Sequence, residues 1–127
     1  MQAMSGSASG RAEQQSAGTN FAAGALVVVS LASPREKYWG ELLELGAAGV
    51  SVRAIALDSF DDFAAQVRAG ERVDAAVLFF PMHRLERIEL DARNGDVESL
   101  AERFESKSGK SVRGALQGKS PSGGGDR

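Results

Sequence analysis

The 127-residue chain contains no cysteine and a single histidine, His83. Without cysteine there can be no disulfide, no thiolate metal site and no catalytic thiol, which suits a reducing compartment and makes a cytoplasmic location the expectation. One histidine excludes a two-histidine metal centre, so neither a metal nor a cofactor is expected. Long apolar runs are also missing: "AGALVVVSLA" and "AAVLFF" are too short to span a bilayer. The opening "MQAMSGSASGRAEQQ" lacks the apolar stretch of a secretory signal. There is no Gly-x-Ser-x-Gly elbow, and no spacing singles out a carboxylate pair, so the chain reads as non-enzymatic.

What is present is a soluble, single-domain composition, with 43% hydrophobic and 25% charged residues. The net charge of −2 is unevenly divided. Residues 103–127 hold six basic residues against two acidic ones, and residues 1–102 nine against fifteen. A basic C-terminal segment beside an acidic body can touch nucleic acid or the body itself.

Residues 1–20, rich in Ser, Gly, Ala and Gln, have almost nothing to bury and read as a disordered tail. The closing "GKSPSGGGDR", 118–127, reads as a second one. The domain is then 21–117. Its first strand is "ALVVVSL", Ala25 to Leu31, followed by a turn at Pro34. "KYWGELLEL" and "VSVRAIAL" flank "GAAG" as a hairpin. In the second arm Val50 and Val52 give way to Ile55 and Leu57 on the opposite parity, which predicts a bulge or sharp bend there. "DSFDDFAAQVRAG" predicts a helix over 59–70, capped by Ser59, with Phe60, Phe63, Ala64 and Val67 as its apolar stripe and Gly70 at its end. Asp58, Asp61 and Asp62 belong to that helix start, where capping and the helix dipole account for them. The stripe reads as a lid over the core of the sheet. "AAVLFF" predicts a buried strand, "ERIELD" an alternating one, and "RNGD" a turn. Asp96 is placed to cap a last helix with Val97, Leu100, Ala101 and Phe104 as its stripe, and Ser111 to cap a further turn packed on the body. The expected fold is α+β with a mainly β core: a small five-stranded SH3-like barrel, with a helix inserted between strands 3 and 4 and a C-terminal helix.

Two segments give this pattern a family likeness. "WGELLELGAAGVSV", through Gly40, Leu42 and Leu45, and "MHRLERI", through His83, Leu85 and Ile88, resemble the two motifs of the Sm-like proteins, most closely the bacterial Sm-like RNA chaperones. The resemblance covers roughly residues 25–57 and 75–90. It implies an Sm-like barrel, a homo-oligomeric ring, and a strand 4–5 corner that lines the pore and grips uridine-rich single-stranded RNA. The chain departs from the family at the loop Asp and Asn positions, here Gly46 and Val50, and at the corner lysine, here Met82. The 59–70 helix is an insertion.

The candidate RNA-binding residues are Met82, His83 and Arg84 at the corner, with Lys107, Lys110 and Arg113 in the basic segment. A guanidinium is a forked donor suited to phosphate, an imidazole can stack on a base, and a run of cations can follow a nucleic-acid backbone. The structural alternatives stay open: His83 capping a turn carbonyl, Arg84 paired with Glu86 or Glu89, and the lysines solvated with Lys119 in a flexible tail. Tyr38 and Trp39, neighbours on a strand, face opposite ways, so either one is a stacking platform or both are buried, one in the core and one under the inserted helix. "GKS", at 109–111 and 118–120, lacks the phosphate-loop glycine five positions earlier, where Phe104 and Arg113 stand. Two functions follow: an RNA-binding Sm-like protein acting through the corner and basic segment, or a protein-interaction module docking through its strand edges or the inserted helix. Neither involves a membrane.

Overall fold

The computed structural model describes residues 20–117. Residues 1–19 and 118–127, with Lys119 and the second Gly-Lys-Ser, lie outside the described residues. Five strands, β1 (Leu26–Leu31), β2 (Glu36–Leu45), β3 (Gly49–Ala56), β4 (Ala76–Pro81) and β5 (Leu85–Leu90), form one antiparallel sheet in the order β4-β3-β2-β1-β5. Helix α1 (Phe60–Arg68) is inserted between β3 and β4; α2 (Leu100–Ser108) and α3 (Val112–Leu116) follow β5. The expected α+β architecture is present.

The sheet buries both faces, and each has its own core. On one face Val27, Val29, Leu31, Leu42, Val50 and Val52 are each no more than 1% exposed. On the other, Trp39 is fully buried among Phe60, Phe63, Phe104 and Leu116 from the three helices. Its ring meets those of Phe60 at 5.2 Å and Phe104 at 5.7 Å, an aromatic cluster with the edge and tilted geometries that ring quadrupoles favour. The α1 stripe is buried as its spacing predicts. It does not cover the first core, however; it builds the second one on the opposite face.

That two-sidedness corrects the reading of β3. Val50, Val52 and Ala54 keep one parity and line the first core, while Ile55 packs with Leu57 against the helices. The apparent parity switch marks a strand apolar on both faces, as a strand covered on both sides must be. The bulge lies instead in β2: pairing steps from Leu42↔Val52 to Glu44↔Ser51, leaving Leu43 as the extra residue. A second irregularity falls between Ser30 and Leu31 against β5.

Among the described residues no helix covers the first core, and the sheet curls over it. Phe80 is level with Val50, which is level with Leu45. In a flat sheet Phe80 would therefore lie about 20 Å along β2 from Tyr38. Yet the Tyr38 and Phe80 rings are 5.0 Å apart. Bulges increase strand twist and bend, and the one at Leu43 sits between these two points. Gly40 permits the tight crossing at mid-strand. A Cβ there would lie 2.1 Å from the Arg53 carbonyl oxygen and 2.5 Å from the Ala54 Cα. Among the described residues, no backbone ladder joins β4 to β5.

Turns and caps follow local chemistry with three corrections. The Gly46–Gly49 hairpin forms with reciprocal backbone bonds of 3.0 and 3.3 Å. Ser59 occupies the cap position of α1 but makes no side-chain cap bond, because a 3-10 turn over Leu57–Ser59 leads into the helix. Helix α2 is capped by Ser99 rather than Asp96, in a reciprocal box: Glu102 N–H donates to Ser99 Oγ at 3.0 Å and Ser99 N–H to Glu102 Oε1 at 2.8 Å. Val97 is 68% exposed and outside the stripe, since the chain turns back between Asn94 and Val97 before the helix begins. Gly109 ends α2 in the left-handed conformation, and Ser111 caps α3 through Gly114 N–H.

Candidate functional site

The corner between β4 and β5 is a single 3-10 turn, Met82–Arg84, entered through Pro81, whose fixed φ suits the start of a helical turn. Its backbone bridges both ends of β2. Met82 N–H donates to the Ala48 carbonyl at 2.8 Å, in the β2–β3 turn. Arg84 C=O accepts from Ala32 N–H at 2.9 Å, in the β1–β2 turn. The corner is thus the clasp that holds the curled sheet.

Arg84 turns inward to serve the same clasp. Its Nε donates to the Ala32 carbonyl at 2.8 Å, and its Nη2 to the Pro34 carbonyl at 3.0 Å and to Glu36 Oε1 at 3.2 Å. The sequence alternatives of Glu86 and Glu89 are not the partners; Glu89 pairs with Arg87 at 3.1 Å. Met82, 42% exposed, and His83 remain at the surface.

The basic segment lies elsewhere, against the acidic body. Lys107 Nζ sits 3.6 Å from Asp61, and Lys110 Nζ donates to the Val67 carbonyl at 3.5 Å. Arg113 lies 3.7 Å from the Glu41 carboxylate, whose other oxygen faces Arg53 at the same distance. Side chains of Lys107, Lys110 and Arg113 share no bonding partner with Met82, His83 or Arg84. Trp39 offers no stacking platform, being fully buried in the second core, whereas Tyr38 packs half-buried on the first.

What the sequence reading missed is β4. "AAVLFF" was expected to be a buried strand, but β4 is an edge strand, and on its outer face Val77 is 62% and Phe79 55% exposed. The helices reach across β1 to β3 and stop short of it. The only signal in the sequence is the absence of any charge from Ala75 to Met82; nothing local distinguishes such an edge from a central strand. An open groove of about 420 Å³ lies near the start of β2, walled by Arg35, Lys37, Tyr38, Leu57 and Asp58. Its charges are mixed in sign. Among the described residues no three His, Asp or Glu side chains are placed to hold a metal ion, and no helix is long and apolar enough to cross a membrane.

Compared with known proteins, the chain matches no family model, no curated protein and no solved structure.

Proposed function

We propose that the chain is a non-enzymatic interaction module on a small curled barrel, which docks a partner segment in extended conformation along β4. The observation that carries this reading is the exposure of Val77 and Phe79 on an uncharged edge that no strand among the described residues pairs. An edge strand presents a row of backbone donors and acceptors that template another strand, and sheets that avoid such pairing place charge, proline or cover there. Here only Pro81, at the far end, interrupts it. Main-chain bonds then give affinity and the two apolar side chains give selectivity. The Sm-like resemblance is consistent with the strand count, the close crossing at Gly40 and the tight β4–β5 corner.

RNA binding is the competing reading, and the geometry favours it less. Arg84 Nε and Nη2 are committed to the clasp, and Lys107, Lys110 and Arg113 face the body rather than the corner. A direct comparison separates the two. A fluorescein-labelled peptide of alternating valine and threonine is expected to bind the full chain, with a loss of tenfold or more in Val77→Lys/Phe79→Lys. A uridine-rich oligonucleotide that saturates the chain at moderate salt, is weakened by His83→Ala and ignores the edge lysines would replace this reading with RNA binding. Binding of neither ligand by a chain shown to be monomeric would remove both.

A further inference from the structure

We infer that the segment docked on β4 is β4 of a second copy, paired antiparallel about a twofold axis through Leu78, so that two five-stranded sheets become one of ten strands. This inference rests on the edge-docking reading of β4.

The first support is the contrast between the two edges. β4 carries no charge, whereas β5 exposes Glu86, Arg87 and Glu89, with Arg87 and Glu89 paired at 3.1 Å and each about half exposed. A head-to-tail assembly would lay β4 against β5 and strip water from those charges opposite Val77 and Phe79. Desolvating charge without a new partner is costly, so β5 is the protected edge and β4 the open one.

The second support is the order of side-chain sizes along the strand. β4 begins small, with Ala76 and Val77, and ends large, with Phe79 and Phe80. Antiparallel pairing centred on Leu78 sets Val77 opposite Phe79 of the second copy and Ala76 opposite its Phe80, so each large side chain meets a small one. A twofold normal to the sheet keeps outer residues with outer residues, and the inner and outer faces run on unbroken. Aromatic–β-branched pairs of this kind stabilise cross-strand contacts. Phe79 is also pre-positioned. Its Cζ lies 2.7 Å from the place a Cβ of Gly49 would occupy, so the ring rests over glycine backbone, and little side-chain freedom is lost on pairing.

The absence of cysteine allows a clean test on the full chain. In this register residue 78 faces its own symmetry mate at about 4.5–5.5 Å between Cα atoms, within disulfide reach, whereas residue 77 lies about 8 Å from its mate and beyond it. Under mild oxidation Leu78→Cys is expected to give a covalent dimer at least tenfold faster than Val77→Cys. By light scattering the unmodified chain should have twice the monomer mass, and Phe79→Lys or Val77→Lys should halve it while leaving the circular dichroism spectrum in place, since both side chains are exposed in the single chain; the midpoint should fall only by the stabilisation that association adds. A monomer at every concentration that still binds the valine–threonine peptide would overturn the inference and leave the docking reading standing. A closed assembly larger than a dimer, or faster cross-linking through Val77→Cys, would also overturn it.

Discussion

Trp39 Nε1 donates to Asp91 Oδ2 at 3.1 Å, joining residues 52 positions apart in the chain. The same carboxylate accepts from Leu100 N–H at 2.7 Å and Ala101 N–H at 2.8 Å, so one side chain satisfies a buried indole and caps α2. Asp91→Ala is expected to cost about 2–4 kcal/mol, because it strands the indole N–H and removes the helix's acceptor together. Urea unfolding followed by fluorescence of Trp39, the only tryptophan, measures this directly.

At mid-β2 the constraint is steric. Any side chain at Gly40 would enter the Arg53 carbonyl and the Ala54 Cα on β3. Gly40→Ala should therefore destabilise by about 1–3 kcal/mol, the range for overpacking a well-packed core, despite being a single methyl. Thermal unfolding of the purified variant, or its loss to the insoluble fraction, is the check.

Arg84 distinguishes a clasp from a ligand-binding arginine. Arg84→Lys keeps the charge but cannot reach Ala32, Pro34 and Glu36 together as the planar fork does. A loss of about 1–3 kcal/mol by denaturant titration is expected. An unchanged midpoint would show that the guanidinium is not holding the β1–β2 turn.

Acid acts through the α2 cap. The Ser99 N–H holds the Glu102 carboxyl below the usual glutamate value, and Arg93, at 3.2 Å, lowers it further against the opposing effect of partial burial. A carboxylate depressed in the folded state stabilises it above the ordinary pKa, and that contribution disappears as pH falls through the folded value. Glu102→Gln should therefore melt below the parent protein at neutral pH, and the gap should close as pH falls below the ordinary carboxylate range. Melting curves across that interval test the sign.

Much of this molecule was legible from local chemistry. The run at Val27–Leu31, the stripe at Phe60, Phe63, Ala64 and Val67, the Gly46–Gly49 hairpin and the Ser111 cap each depend on neighbours within a few positions, and periodicity and turn propensity report such neighbours. Candidate sites fared differently. A cation's availability depends on what stands opposite it, and Arg84 meets Glu36 and Ala32 across some fifty positions.

The sequence by itself determined which residues must leave water and which elements they form, because burial preference and helical or strand period are properties of the chain. Only the tertiary structure decided that β3 is covered on both faces, that Tyr38 meets Phe80 across a curled sheet, and that β4 stands at an edge with Val77 and Phe79 in solvent. Strand order and curvature arise from pairing between distant segments, and an apolar strand carries no local mark of whether a neighbour will lie beside it.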